Sequence, residues 1–153
     1  GQGGKGLYMA SDVASRRESE TNKVVVYGAQ KSSLYFTFSF DLSGATPRVQ
    51  ETFCSVEKTG SDERAYMDVI ARLSSRLLRY ESVETVAACL EGVVTSVRGP
   101  VKSPSGVKFC FGYIDLLGKE LRARQLELEA QHAQQELPER GIIRTESHQA
   151  VAG

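Results

Sequence analysis

Apolar and polar side chains alternate without a break from Leu34 to Asp41. Leu34, Phe36, Phe38 and Phe40 fall on one side, and Tyr35, Thr37, Ser39 and Asp41 on the other. That period of two predicts a half-buried antiparallel strand. Before it, Lys23 to Tyr27 carries the β-branched run Val24-Val25-Val26 and predicts a first strand. After it, Gly44 and Pro47 mark a turn, and Val49 to Glu57 predicts a return strand with Phe53 as its largest apolar residue. Three such strands form an antiparallel meander with one apolar face that needs a cover.

The period then lengthens. Tyr66, Ile70, Leu73 and Leu77 recur at steps of four, three and four, which predicts a helix with these residues as its inner stripe. Val69 and Tyr80 widen the stripe on one side, and Met67 and Leu78 on the other. So broad an arc predicts burial against the sheet and also against another helix or subunit. A second, short helix is predicted from an N-cap at Ser82 to about Glu91, with Val83, Val86, Ala87 and Leu90 inward and Gly92 as its stop. Val94 to Val107, with Gly99-Pro100, Pro104 and Gly106, reads as a loop. A third helix is predicted from about Phe111, with Ile114, Leu117, Leu121 and Leu128 on one stripe. It turns polar from about residue 122 and is expected to end at Pro138, with Glu120 and Arg124 spaced for an ion pair. The expected class is α+β: a three-stranded antiparallel meander covered by two to three helices, with a long polar C-terminal helix. Residues 1–22 are expected to be a flexible segment, 23–137 the domain, and 138–153 a tail.

Composition narrows the functions. The chain has 153 residues, and its 19 lysines and arginines balance 19 aspartates and glutamates. A net charge of zero supplies no general attraction to nucleic acid or to an anionic membrane. No apolar run approaches the roughly 18 residues that cross a bilayer, and no membrane partner is expected. The opening G-Q-G-G-K-G has the letters of a dinucleotide fingerprint but neither the strand before it nor the helix after it. The chain begins at Gly1, so a processed chain or a piece of a longer one is expected. Cys54, Cys89 and Cys110 are odd in number and widely spaced, which argues against a disulfide framework or a zinc knuckle. The expected setting is a reducing compartment, either cytoplasm or an organellar matrix after processing. His132 and His148 sit in polar sequence and read as surface residues, so no metal and no cofactor is expected.

Candidate chemistry concentrates at Lys58-Thr59-Gly60-Ser61-Asp62, where the return strand meets the first helix. Folding alone accounts for most of it. Ser61 reads as an N-cap, Gly60 as a residue for unusual backbone angles, and Asp62 as a charge complementing the helix dipole. The alternative is an anion or nucleotide site in which Lys58, Gly60 and Ser61 take a phosphate, Arg72 or Arg76 adds charge, and Tyr35 or Tyr66 stacks on a base. Arg72, Arg76 and Arg79 form a cationic stripe along the first helix, with Asp68 spaced to pair with Arg72. Arg79, with Arg122, Arg124 and Leu128 of the third helix, is the expected partner interface. No nucleophile–base pattern, paired carboxylate motif or metal spacing is visible, and an enzyme is not expected.

The stretch "QETFCSVEKTGSDERAYMDVIARLSSRLLR" resembles the TSCPD domain at the C-terminus of many adenosylcobalamin-dependent ribonucleotide reductases. The likeness rests on Glu51, Phe53, Val56, Lys58, Gly60-Ser61-Asp62, Arg72-Leu73, Ser75, Leu77 and Arg79. It continues through "VETVAACLEGV", with Leu90 and Gly92 as the Leu-x-Gly ending, and covers roughly residues 22–121. The Thr-Ser-Cys-Pro-Asp signature is replaced by "VKFCFGYID", where Cys110 survives and Phe111 and Gly112 stand for Pro and Asp. The resemblance implies an accessory fold that lacks the reductase's barrel, radical cysteines and cobalamin site. It also implies a link to nucleotide metabolism by descent. The expected function is a non-catalytic assembly module working through protein–protein contacts, as a homo-oligomer or as a subunit of a larger complex.

Overall fold

A computed structural model of the chain describes residues 18–57 and 60–152, excepting the side chains of residue 61 and of residues 137–152. Among the described residues, five strands and three helices follow in order: β1 (Ser19–Tyr27), β2 (Lys31–Asp41), β3 (Arg48–Val56), α1 (Ser61–Leu77), α2 (Val83–Leu90), β4 (Gly99–Lys102), β5 (Phe109–Cys110) and α3 (Tyr113–Ala152). The α+β class expected from the sequence holds. The sheet, however, has five strands in the order β3-β2-β1-β4-β5, not three, and every pairing is antiparallel. Strand β4 comes from the stretch read as a loop, and β5 from the short piece between that loop and the third helix. They are four and two residues long, too short for alternation to register, and β4 contains a proline. Strand β1 also begins earlier than the apolar pattern does. Ser19 to Asn22 pair with β2 out to Ser39. Their polar side chains hold the register, as in the hydroxyl contact of Thr21 with Thr37 at 2.8 Å.

The alternation of β2 translates directly into packing. Leu34, Phe36, Phe38 and Phe40 are buried, with Val24 and Val26 of β1 beside them. Strand β3 does not keep one alternation along its length. Ser39 pairs with Glu51 but Phe40 pairs with Val49, so Gln50 is an extra residue in a bulge. The bulge resets the parity of the strand: Val49, Thr52, Cys54 and Val56 point into the core, and Phe53 points out.

Strand β3 is also an edge, and the fold closes that edge with side chains. The Ser75 hydroxyl of α1 accepts the Thr52 N–H and donates to the Thr52 carbonyl, each at 2.9 Å. Gln125 of α3 accepts the Val49 N–H at 2.8 Å and donates to the Pro47 carbonyl at 3.1 Å. Arg48 reaches back to the end of α1 and donates to the carbonyls of Leu78 and Glu81.

Helix α3 lies over the inner face of the sheet through Leu116, Leu117, Leu121 and Leu128. Helix α2 packs on it at close range, because a Cβ on Gly118 would stand 2.9 Å from both the Ala87 carbonyl oxygen and the Leu90 Cβ. The Ser82 side chain caps α2 by accepting the Thr85 N–H, and Gly92 at φ +87° follows its end, both as the sequence predicts. Pro138 does not end α3, which runs on to Ala152. A proline removes one ladder hydrogen bond from a helix but leaves the turns on either side able to form.

Candidate partner interface

Of the anion site outlined from the sequence, the described residues place Gly60 at the start of α1 and Arg72 and Arg76 well along it. Lys58 lies outside the described residues. Gly60, not Ser61, is the N-cap of α1, and it makes no side-chain capping bond. Its backbone at φ −65° and ψ 159° is extended, open to any residue, so no glycine-only angle is used there. Arg72 and Arg76 lie on the same helix at 1.5 Å of rise per residue, about 18 and 24 Å beyond Gly60. A phosphate at the helix start is out of their reach. Tyr66 is exposed on α1, and Tyr35 is half-buried on β2.

The expected interface on the third helix is spent inside the molecule. Arg122 makes a two-pronged ion pair with Glu91, at 2.7 and 2.9 Å, tying α3 to the end of α2. Arg124 is buried. It takes both oxygens of Glu20 on β1, at 3.0 and 2.9 Å, and bonds Glu127, with its guanidinium over the Phe40 ring. Leu128 belongs to the core. The Glu120–Arg124 pair suggested by spacing does not form, since Glu120 is buried and accepts the Ser105 hydroxyl instead.

The surviving signature cysteine is equally internal. Burial pushes the Cys110 thiol up, with N–H bonds from Gly112 and Gly99 pulling the other way. Burial pushes the Cys54 thiol up to about 12. Neither is poised as a thiolate. Cys89 is exposed, and among the described residues no three metal-ligating side chains gather. Next to Cys110, Asp115 forms a corner that spacing alone did not single out. Its two oxygens accept the N–H groups of Gly92 at 2.7 Å and Phe111 at 2.8 Å, and Lys119 stands 2.9 Å away. Burial alone would raise its pKa, but those donors outweigh burial and hold it below the usual carboxylate range. The readable signal was an aspartate in the first turn, placed to bond back to an N–H ahead of its helix.

What remains open is the outer face of α1. The inner stripe is Met67, Ala71, Ser74 and Leu78, with Ile70 half-buried. The stripe expected to lie inside instead faces outward: Tyr66 is 64% exposed, Leu73 59% and Tyr80 83%, with Val69 and Leu77 also exposed. The reason is size and edge closure. Bringing Ser75 onto the Thr52 backbone fixes the rotation of the helix, and that rotation turns the small Ala71 and Ser74 toward the core. Arg76 and Arg79 border the exposed stripe, and neither guanidinium has a partner among the described residues. Arg72 pairs with Asp68 at 2.6 Å. A run of large apolar side chains rimmed by charge is the character of a protein contact surface.

One antiparallel sheet with its helices on one face and along one edge, every buried charge among the described residues partnered except for one oxygen of Glu120, makes this a small α+β fold. The family can be stated: a family model of the TSCPD domain matches residues 8–124, and the chain belongs to that family. No curated protein and no solved structure matches the chain. No helix among the described residues is long and apolar enough to cross a membrane.

Proposed function

We propose that this chain is a non-catalytic accessory module that joins an assembly through the outer face of α1. The observation that carries this reading is the exposed stripe Tyr66, Val69, Leu73, Leu77 and Tyr80 on a helix whose other side is already packed. Side chains that elsewhere serve chemistry have structural work here. Asp115 holds two backbone N–H groups, Arg122 and Arg124 hold carboxylates of other elements, and two of the three thiols are kept protonated by burial. The resemblance to the C-terminal domain of ribonucleotide reductases, in a chain of the TSCPD family, favours a setting in nucleotide metabolism by descent.

The test is a double charge substitution, Leu73→Glu with Tyr80→Glu, in the full chain expressed in its native cells. Both positions are exposed, so the melting temperature is expected to stay with that of the parent. The parent is expected to elute from a sizing column in an assembly larger than one chain, and the variant to lose it. A variant that melts and elutes like the parent would refute the reading.

A further inference from the structure

The geometry of the sheet points to a second surface: its outer face is a platform for single-stranded nucleic acid, with aromatic rings to stack bases and lysines between them to take phosphates. This face lies away from the helices, and the inference is independent of the docking role of α1. Tyr27 of β1 and Phe53 of β3 are each 43% exposed there. Tyr35 is half-buried on β2, the strand between those two. Lys23, Lys31 and Lys102 are exposed on the same face. None of the three ammonium groups has a carboxylate partner among the described residues. Lys31 instead places its Nζ 6.0 Å from the centre of the Tyr27 ring.

The strand register brings these six side chains together. Directly opposite residues on antiparallel strands stand about 5 Å apart, and diagonal ones about 7–8 Å. Lys23 is opposite Tyr35, and Lys31 is opposite Tyr27. Lys102 is opposite Val25, which makes it diagonal to both Lys23 and Tyr27. Phe53 is opposite Thr37, which makes it diagonal to Tyr35. An unbroken oblique track therefore runs through Phe53, Tyr35, Lys23, Lys102 and Tyr27, over four strands. The acids of this face lie to the side of the lysines. Asp41 and Glu51 sit beyond Phe53, at the end away from Tyr27, and Glu57 follows β3 at the level of Ser33. None is on β1 or β4, so a chain of zero net charge is locally basic along those two strands. Rings interleaved with cations suit an unpaired strand, whose bases are free to stack. A duplex hides its base faces, and an acidic peptide would engage the lysines and leave the rings unused.

The test is fluorescence anisotropy of the purified full chain with end-labelled, mixed-sequence RNA and DNA strands of about 12 nucleotides. Saturable binding of single strands is expected, with weaker binding of the duplex of the same sequence. Affinity should fall with salt at a log–log slope of about −2 for three lysine–phosphate contacts, and the double variant Lys23→Ala with Lys102→Ala should flatten that slope by about 1.4. The double variant Tyr27→Leu with Phe53→Leu keeps apolar bulk and removes two rings. It should bind about tenfold more weakly with the salt slope unchanged. All four positions are exposed, so each variant should melt with the parent. A preference for RNA or for DNA then names the strand. Absence of saturable binding at low salt would overturn the inference. So would displacement of the strand by polyglutamate at equal charge, which would mark the face as a site for acidic protein. Equal binding of duplex and single strand, with no effect of the ring substitutions, would reduce it to unspecific charge attraction and overturn the platform.

Discussion

Helices α1 and α3 break the usual pattern of amphipathic helices in opposite directions. On α1 the large apolar residues Tyr66, Leu73 and Tyr80 face outward, and the inner stripe includes the small Ala71 and Ser74. On α3 the inner face carries Asp115, Glu120, Arg124 and Gln125 among its leucines, all buried. The inward polar groups of α3 are not an excess the core tolerates. Asp115 and Gln125 satisfy backbone groups at the β5–α3 corner and on the edge strand β3, and Arg124 anchors the start of β1. The exposed apolar groups of α1, by contrast, lie on the side of the helix away from the core and from the Ser75 bonds that close the β3 edge. The docking role proposed for that face is what would give them a contact.

The sharpest way to break this contrast is at Asp115. Asp115→Ala leaves the Gly92 and Phe111 N–H groups without acceptors in a buried corner and strips Lys119 of its ion-pair partner, leaving it the Phe109 carbonyl. It is expected to cost about 3 kcal/mol of unfolding free energy, measured by denaturant titration. Because the folded-state pKa is depressed, the contribution of the parent aspartate is present above the ordinary aspartate pKa. It fades as pH falls through the lower folded value, so the gap between parent and Asp115→Ala should narrow in acid. A variant as stable as the parent at neutral pH would remove the structural role assigned to this carboxylate.

Glu120 is the weak point of the same helix and carries the opposite sign. Burial raises its pKa, with the Ser103 and Ser105 hydroxyls pulling it back, and one carboxylate oxygen has no hydrogen-bond partner. A raised folded-state pKa means that its contribution is fully present below the unfolded value of about 4.3 and is lost as pH rises through the folded value. Ionised Glu120 is therefore a liability at neutral pH. Glu120→Gln keeps an acceptor for Ser105 and removes the charge, and is expected to stabilise the protein by about 1 kcal/mol at neutral pH. That gain should vanish near pH 4. Equal effects at both pH values would sink the assignment.

These contrasts explain what a reader of the sequence can and cannot recover. The facing of β2 is legible in full, because a two-residue period admits one buried set and Phe36 and Phe38 are in it. The cap and stop of α2 are legible because Ser82 and Gly92 act locally. The facing of β3 is not, since one bulged residue at Gln50 inverts every position before it relative to those after, and nothing in the apolar pattern marks a bulge. Strands β4 and β5 are held by β1 and by each other over two residue pairs each, a tertiary fact with no local period. On α3 the buried Arg124 and Gln125 look solvated because their partners, Glu20 and the Val49 backbone, are about a hundred and about eighty residues away. The α1 surface was half legible: the breadth of its apolar arc signalled two contacts, but the rotation that decides which face is inside depends on the Ser75 bonds to Thr52.

That rotation yields the smallest expected effect and the most direct check. If Ser75 fixes α1 as described, Leu73→Ala removes an exposed side chain and should change the unfolding free energy of the isolated chain by no more than about 0.5 kcal/mol. Met67→Ala, on the inner stripe at 2% exposure, empties a packed site and should cost severalfold more. Amphipathic reasoning from the sequence ranks these two the other way, since it centres the buried stripe on Leu73. A strongly destabilised Leu73→Ala chain would mean that α1 is turned the other way, and that the surface proposed for the partner is the inside of the protein.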